Sequence, residues 1–433
     1  MSQARTIAFF PEPGAWGPTN NCSAMASVLL ERGHRIVFVV DESFAGVLEA
    51  RGFDERLFRM APPEDDSDGA ADPWAEFIRL TAPEFRRPTV EQIETVTKPI
   101  WQALVEGEQY SHERVMAIWE DVHPDAVVTD NVTGYPAVEL THAPWVRVVS
   151  CNPLEMRDPD LPPALSGLPT ADRSGWRAFR EEYHRVHKDL LAEHNEFRVS
   201  VGVEPCPTDE FNTASPWLNL YEYPSAADYR RAQPLGPAWH RLESSVRSSE
   251  AAFDVASHVP GDGKVIYLSL GSLGCMDVSL MQGLIDALAT TDHRVIVSMG
   301  PLKDQMRLGS RMYGDVLLPQ PSILPQCDLL ITHGGNNTVC EGFSYGLPMI
   351  GLPLFWDQYD NAQRLAETGF GARLPAYDWA EEELVDTVER LLADDGLRVR
   401  MGAIASDIRS RPGEVKGADL IERVALAGKP LLS

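Results

Sequence analysis

The stretch that decides the fold is LLITHGGNNTVCEGFSYGLPMIGLPLFWDQYDNA, residues Leu329–Ala362. Its apolar start, Leu329–Thr332, predicts a buried strand, and a second apolar run, Met349–Leu354, predicts the next parallel strand. The residues between them predict a helix, because Gly346 can close a helix in the left-handed conformation and Pro348 cannot continue one. The unit is therefore strand, glycine turn, helix, strand.

The turn and the start of this helix predict an anion-binding site. Two glycines after His333 let a phosphate approach the backbone, and the helix start offers unpaired N–H groups. Asn336, Asn337 and Thr338 are good N-cap residues, so we expect them to cap the helix. The side chains of His333, Asn337 and Thr338 can also donate to a phosphate oxygen.

Three further side chains suit hydroxyl groups. Glu341 lies one turn into the helix, where it can accept from a ribose hydroxyl, as acidic residues do in other nucleotide sites. Asp357 and Gln358 follow the second strand at its C-terminal end, where open α/β sheets bind ligands. The alternative is an ordinary βαβ unit, in which the polar residues are caps and Glu341 is solvated.

The order of these residues resembles the donor-binding signature of the family 1 nucleotide-sugar glycosyltransferases. This family includes the antibiotic glycosyltransferases of actinomycetes and the plant natural-product enzymes. The matching positions are His333 to Glu341, Gly346 to Pro348, Pro353, Asp357, Gln358, Asn361 and Ala362, with Pro319, Gln320, Ile323, Leu324 and Asp328 upstream.

The resemblance implies the GT-B architecture, which is α/β with two Rossmann-like doubly wound domains facing each other across a cleft. The acceptor-binding domain would be residues 1–235, the linker 236–260 and the nucleotide-sugar-binding domain 261–410, with a helix at 411–433 returning to the first domain. The implied activity is inverting transfer of a hexose from a UDP- or TDP-sugar to a small natural-product acceptor. The nucleotide sugar is then the co-substrate, and neither a metal nor another cofactor is implied.

The resemblance also implies donor-binding roles for ten residues, and His333 would in addition stabilise charge on the leaving diphosphate. They are Ser272, Leu317, Gln320, His333, Gly335, Asn337, Thr338, Glu341, Asp357 and Gln358. Leu317 stands where the family usually has a tryptophan that stacks on the nucleobase, so the choice between UDP and TDP is left open.

The beginning of the chain departs from the family at one position. Arg32–His34 matches the family sequence before the second strand, and counting back from it puts Pro18 where the family has a loop histidine. In the family that histidine is the general base, and proline has no basic nitrogen. We expect Pro18 to lie in a loop before a helix that begins near Ser23.

Three explanations of the missing base are open. Asp130, at the end of the predicted strand Ala126–Asp130, or Glu12 can serve as the base directly or through a water. The acceptor can instead be acidic, or an amine, so that little deprotonation is needed. Finally, the chain can be a non-catalytic nucleotide-sugar-binding partner protein, or it can carry out another GT-B chemistry such as epimerisation or phosphorolysis.

Acceptor specificity in the family usually lies in variable segments of the first domain. Trp101, Trp176, Tyr183 and His184 lie in such segments and can contact an aromatic or polyketide acceptor, although each also suits a core or solvent-facing role. We expect Leu218–Tyr223 to be the last strand of this domain.

Composition limits the partners and the compartment. The formal net charge is 38 − 64 = −26, and such a surface repels nucleic-acid backbones and anionic membranes. The six scattered cysteines are typical of reduced thiols, and we recognise neither a signal peptide nor a membrane-spanning run. We therefore expect a cytoplasmic monomer or homodimer without a metal site, in which the acidic pattern Asp66-Ser67-Asp68 is a solvated turn.

Overall fold

The computed structural model describes residues 4–62, 81–247 and 251–431, so the predicted acidic turn at Asp66 lies outside the described residues. These residues form two sheets whose strands are all parallel. The first has the order β3-β2-β1-β4-β5-β6-β7, with β1 (Thr6–Pro11), β2 (Arg35–Asp41), β3 (Asp54–Phe58), β4 (Ala126–Asp130), β5 (Trp145–Val149), β6 (Leu218–Glu222) and β7 (Trp239–Leu242). The second has the order β10-β9-β8-β11-β12-β13, with β8 (Val265–Ser269), β9 (Arg294–Ser298), β10 (Met312–Asp315), β11 (Leu329–Thr332), β12 (Met349–Gly351) and β13 (Gly371–Arg373).

Helices flank both sheets, which confirms the prediction of two doubly wound α/β units. They are α1 (Trp16–Glu31), α2 (Thr89–Gln92), α3 (Lys98–Val122), α4 (Pro136–Glu139), α5 (Trp176–Ser200), α6 (Val255–His258), α7 (Gly271–Gly274), α8 (Val278–Ala289), α9 (Gln320–Ile323), α10 (Asn336–Tyr345), α11 (Gln358–Thr368), α12 (Glu381–Ala393), α13 (Asp395–Ser410) and α14 (Gly413–Ala427). A π-helical segment, Ile93–Thr97, joins α2 to α3, and short 3-10 turns lie at 42–44, 49–51, 82–86, 153–155, 303–305 and 324–326. Among the described helices, none is long and apolar enough to cross a membrane.

The first sheet is buried on both faces, as parallel sheets are when helices cover both sides. Phe9 points to one face, where it stacks on Phe38 at a centroid distance of 5.3 Å. Phe10 points to the other face, where it meets Trp119 and Tyr135 edge-on. The continuous apolar run of β1 therefore serves two separate core clusters.

The strand order reverses once in each sheet, and open α/β sheets bind ligands at such points, beyond the carboxyl ends of the strands. In the first sheet the reversal lies between β1 and β4, where Pro11 pairs with Asp130. In the second it lies between β8 and β11, where Ser269 pairs with Thr332. Two predicted site residues, Asp130 and His333, thus fall at the two ligand-binding edges.

The final helix, α14, packs on the first sheet although it follows the second one in the chain. Ile421 is fully buried in the same core cluster as Phe9. Arg32 pairs with Asp419 at 2.6 Å and with Glu422 at 2.8 Å. The Arg32–His34 motif therefore has a structural role here, because it holds α14.

Two predictions about the first domain were wrong. Helix α1 begins at Trp16, so Pro18 lies in its first turn and not in a loop; proline is tolerated there because first-turn N–H groups have no intrahelical partner. The last strand is β7, which pairs in parallel with β6 and lies inside the predicted linker. Its sequence, WHRL, has no apolar run, and only Leu242 of the four residues is buried.

Replacing Ile421 should weaken the attachment of α14. Ile421→Ala removes a fully buried side chain, so the free energy of unfolding in urea should fall by about 2–5 kcal/mol. Leu426→Ala, on the same helix at a side chain that is 38% exposed, should cost less than about 1 kcal/mol. Equal losses in the two variants would show that α14 is not anchored through this face.

Candidate active site

Two glycine turns hold the His333 ring at the edge of the second sheet. His333 follows β11, and Gly271 follows the neighbouring β8. A Cβ atom on Gly271 would lie 2.7 Å from His333 Cε1, and one on Gly335 would lie 2.6 Å from His333 Nε2. Gly271 also has a φ of +72°, which side chains rarely adopt. Both positions therefore need glycine for the ring to sit between the turns.

The His333 ring is neutral at pH 7. Burial lowers the pKa of His333 to about 4, and its Nδ1 lies 3.4 Å from the hydroxyl of Thr332. A neutral imidazole has one N–H donor, so His333 can donate one hydrogen bond to an anion at this edge.

The expectation that asparagine and threonine cap α10 was wrong. The N-cap is Gly335, with no side-chain cap, because the extended conformation ends there and Asn336 is already helical. The Asn336 amide donates to the Glu222 carbonyl at 3.0 Å, and the Asn337 amide donates to the Gly17 carbonyl at 2.6 Å. Both amides thus join the helix start to the first domain, and no side chain caps the first-turn N–H groups.

Gln320, Thr338 and Glu341 form one polar chain behind the helix start. Gln320 Nε2 donates to Glu341 Oε2 and lies 3.5 Å from Thr338 Oγ1. Arg247 Nη1 lies 3.2 Å from Glu341 Oε1. Burial raises the pKa of Glu341, while Arg247 opposes that rise. Both oxygens of Glu341 have protein partners, so its contact with a ribose stays a prediction. Sequence reasoning missed Arg247, which lies in no recognisable motif.

Two predicted donor contacts are exposed at the same edge. Leu317, at the position expected to meet the nucleobase, is 83% exposed, which is unusual for so large an apolar side chain. Ser272 is exposed at the start of α7, one residue after the glycine that seats His333. Both are therefore open to a ligand.

Asp357 and Gln358 differ in their surroundings. Asp357 Oδ2 accepts from the Asn152 N–H of the first domain at 2.9 Å and from the Asn361 amide at 3.3 Å. Burial raises the pKa of Asp357 to about 7. Gln358 Oε1 accepts from the backbone N–H groups of Leu354 and Phe355. Gln358 thus fixes its own loop, whereas Asp357 faces the other domain.

In the first domain, Asp130 is buried at the end of β4. Its Oδ1 accepts from the Ser150 N–H at 3.2 Å, and its Oδ2 accepts from the Asn21 amide at 3.3 Å. Burial raises the pKa of Asp130 to about 7. Sequence reasoning missed Asn21; because α1 begins at Trp16, Pro18 and Asn21 are three residues apart and share a helix face.

Glu12 follows β1, beside Asp130. Its Oε2 accepts from the Val132 N–H at 2.7 Å, and its buried Oε1 has no hydrogen-bond partner in the described part of the chain. Burial raises the pKa of Glu12 to about 8. Glu12 is therefore mainly protonated at pH 7, whereas Asp130 is near its midpoint.

The backbone strip Ser150–Asn152 connects the two halves. Its Ser150 N–H donates to Asp130, and its Asn152 N–H donates to Asp357. The strip borders a cavity of about 50 Å³ through Cys151 and Asn152, and Asp357 also lines this cavity. The structure thus brings one candidate base and one predicted sugar contact to opposite ends of a single strip.

The four candidate acceptor contacts divide into two pairs. Trp101 and Tyr183 line the cavity. Trp176 is buried with its indole N–H donated to the Pro169 carbonyl at 3.2 Å, and His184 is bonded to Asp209 at the surface. In the described ranges, no group of three His, Cys, Asp or Glu side chains is placed to hold a metal ion.

Comparisons with known proteins find relatives that are named glycosyltransferases. Residues 248–412 match the family model described as UDP-glucuronosyl and UDP-glucosyl transferase. The zeaxanthin glucosyltransferase of Pantoea ananas is 25% identical over 94% of this chain and 94% of its own. The demethyllactenocin mycarosyltransferase of Streptomyces fradiae is 25% identical over 96% of this chain and 86% of its own. The crystal structure of glycosyltransferase VinC in complex with DTDP matches with a TM-score of 0.65 and 17% identity, over 98% of this chain and 100% of that one.

Replacing Glu12 should change how stability depends on pH. The pKa of Glu12 is raised from 4.5 to about 8, so its contribution to stability is complete below pH 4.5 and is lost as the pH rises through 8. Glu12→Gln resembles the protonated form at every pH. Its advantage in unfolding free energy over the wild type should therefore grow, by up to about 5 kcal/mol, between about pH 5 and pH 9.

The measurement is urea unfolding at both ends of that range. Titrating groups that do not interact with Glu12 are common to both proteins, so they cancel in the difference. Glu31→Gln, at an exposed position at the end of helix α1, should show no such growth. Parallel pH curves for wild type and Glu12→Gln would mean that Glu12 is not a protonated buried acid.

Proposed function

Because the chain is a glycosyltransferase of the GT-B fold that carries a UDP-glucuronosyl and UDP-glucosyl transferase domain, we propose that it is an inverting hexosyltransferase. It moves a hexose from a UDP- or TDP-sugar to a small natural-product acceptor. The observation that carries this proposal is the strip Ser150–Asn152, which is bonded to Asp130 at one end and to Asp357 at the other. An acceptor hydroxyl beside this strip lies between the Asp130 carboxyl, which can take its proton, and the Asp357 carboxyl, which can bind the sugar.

The reaction is a single displacement. The acceptor oxygen attacks the anomeric carbon from the face opposite the diphosphate, and the bond from that carbon to the diphosphate oxygen breaks. The acceptor proton passes to Asp130 through one water, because Asp130 is bonded to the strip and does not line the cavity. The nucleoside diphosphate leaves with the electron pair.

Asp130 suits the role of the base better than Glu12. With a pKa near 7, about half of the Asp130 carboxyl is ionised at neutral pH, and a base is most effective when its pKa lies near the working pH. Glu12, with a pKa near 8, is mainly in its acid form there and holds the Val132 backbone. Asn21 donates to Asp130 from the turn of α1 that follows Pro18, so it orients the carboxyl from the helix on which the family histidine would lie.

Charge on the leaving diphosphate is stabilised at the edge of the second sheet. His333, the uncapped first turn of α10, Thr338 and the exposed Ser272 provide donors there. Leu317 offers its exposed apolar surface to the nucleobase of the donor. The VinC structure, which shares the fold, was solved in complex with DTDP, and this supports a pyrimidine nucleoside diphosphate as the leaving group.

Removing the His333 ring should slow turnover without unfolding the protein. His333→Ala loses one donor to the leaving diphosphate, so turnover of a UDP- or TDP-sugar should fall about 10²–10³-fold. Circular dichroism should be unchanged, since alanine leaves only a small gap between two glycine turns. His258→Ala, an exposed histidine on α6, serves as the control. Near-normal turnover by His333→Ala would remove His333 from the reaction.

Removing the Asp130 carboxylate should abolish transfer to alcohols while nucleotide binding persists. Asp130→Asn keeps the shape of the side chain but cannot accept the proton, so kcat/KM should fall about 10²–10⁴-fold. In the wild type, kcat/KM should rise with pH to a plateau, and the rise should be half complete near pH 7, because the ionised form of Asp130 is the active one. Calorimetric titration with UDP and TDP measures nucleotide binding separately.

Two other results would contradict the assignment to Asp130. A midpoint near 8 that disappears in Glu12→Gln would transfer the role of base to Glu12. Nucleotide binding with no glycosylated product from any alcohol, phenol or amine would reject transfer itself. Asp121→Asn, an exposed carboxylate on α3, is the control for charge removal.

A further inference from the structure

The cavity beside the strip Ser150–Asn152 has walls from both domains. The first domain contributes Trp101 from α3, Tyr183 from α5 and Phe211. The second domain contributes Trp356, which immediately precedes Asp357. Four aromatic rings therefore surround the space next to the predicted sugar contact.

Three of these rings, those of Trp101, Phe211 and Trp356, are in contact. Trp101 lies on Phe211 with a centroid distance of 4.2 Å and an interplanar angle of 17°. Trp356 approaches the Trp101 ring at 5.1 Å and 49°. The neighbouring Phe355 lies flat on Phe85 of the first domain at 4.9 Å and 10°. The loop before α11 thus carries two adjacent aromatic rings from one domain into the other.

Trp356 differs from its neighbour in ways that suit a moving wall. Its φ is +59°, a left-handed value that is a genuine outlier for a bulky side chain and that clusters at functional sites. Phe355 is only 8% exposed, whereas Trp356 is half-buried and borders the cavity. Phe355 is therefore the more tightly packed of the two rings, and Trp356 is the one that borders the cavity.

The cavity is too small for an acceptor as it stands. A buried water needs about 10–15 Å³ by the same measure, so about 50 Å³ holds only a few waters. Trp356 is the half-buried ring on this wall, so it is the one that we expect to move aside when a larger ligand enters. Arg147, a buried residue on β5, gives the cavity a polar side; it pairs with Glu155 at 2.7 Å, and its Nε has no acceptor among the described residues.

We propose that Trp356 is the donor-domain wall of the acceptor site and that this site takes a flat aromatic hydroxy compound. The compound enters as Trp356 turns away from Trp101, and it then stacks between these two rings. Arg147 meets an oxygen of the acceptor on the polar side. Calling this ligand an acceptor rests on the proposed transfer reaction. Binding of an aromatic compound at this site can be tested without any sugar.

The test compares two compounds with one carbon skeleton, 1-naphthol and decahydro-1-naphthol, by calorimetric titration of the full chain. Only the first is flat and aromatic. Stacking against two rings should make 1-naphthol bind about tenfold or more tightly than its saturated counterpart. Trp356→Ala should reduce this preference to about threefold or less, and Trp356→Phe should keep part of it, because one smaller ring remains.

Two controls separate this inference from the proposed function. Tyr110→Ala removes an aromatic ring that is 47% exposed on α3, and it should leave the preference unchanged. Titration of each variant with UDP and TDP reports the donor site alone and should not differ between wild type and Trp356→Ala. If neither the wild type nor any variant binds UDP or TDP, the proposed function is rejected. The comparison of the two naphthol compounds still tests whether the aromatic site exists.

Three outcomes would overturn the proposal. They are equal affinity for the two compounds, an undiminished preference in Trp356→Ala, and binding of neither compound up to the limit of solubility. If Trp356→Ala is too unstable to titrate, Trp356→Gly is the substitute, because glycine adopts a φ of +59° without strain. Loss of the preference in that variant, with nucleotide binding retained, supports the proposal equally well.

Discussion

Parallel hydrogen bonding of β1 with β4 and of β8 with β11 is the constraint on which the cleft depends. Parallel pairing brings the carboxyl ends of neighbouring strands to one edge, so Pro11 lies beside Asp130 and Ser269 lies beside Thr332. At each pair the connecting helices leave toward opposite faces of the sheet, and a crevice stays open between them. The proposed base and the proposed contacts to the diphosphate are therefore carried by two separate cores.

Much of this fold was predictable because buried parallel strands and glycine turns leave strong local signals. The strand Leu329–Thr332 and the closure of the next helix by Gly346, with a φ of +73°, are found where the sequence predicts them. Edge strands leave weak signals: β7 is short, mixed in polarity and mostly half-exposed, so its four residues looked like a linker. The start of α1 was missed because Pro18 looked like a loop residue, although the first turn of a helix accepts proline.

The sequence predicted where the candidate donor residues lie along the fold, but it did not predict the partners that they contact. A contiguous motif shows which side chains follow β11, but it does not show which distant residues contact them. Asn152, which binds Asp357, and Arg247, which binds Glu341, lie far away in the sequence and belong to no pattern. The protonation state of a carboxyl depends on its burial, and burial depends on how distant parts of the chain pack. Nothing in the sequence around Glu12 therefore indicates a pKa near 8.

The position of α14 has a mechanical consequence. The chain passes between the sheets twice, once after β7 and once between α13 and α14, and these two passages touch: a Cβ atom on Gly413 would collide with the Ser244 carbonyl. These two connecting segments therefore join the two halves of the protein at a single point. Any motion that separates the two halves must therefore break the bonds from Asn337 to Gly17 and from Asn152 to Asp357.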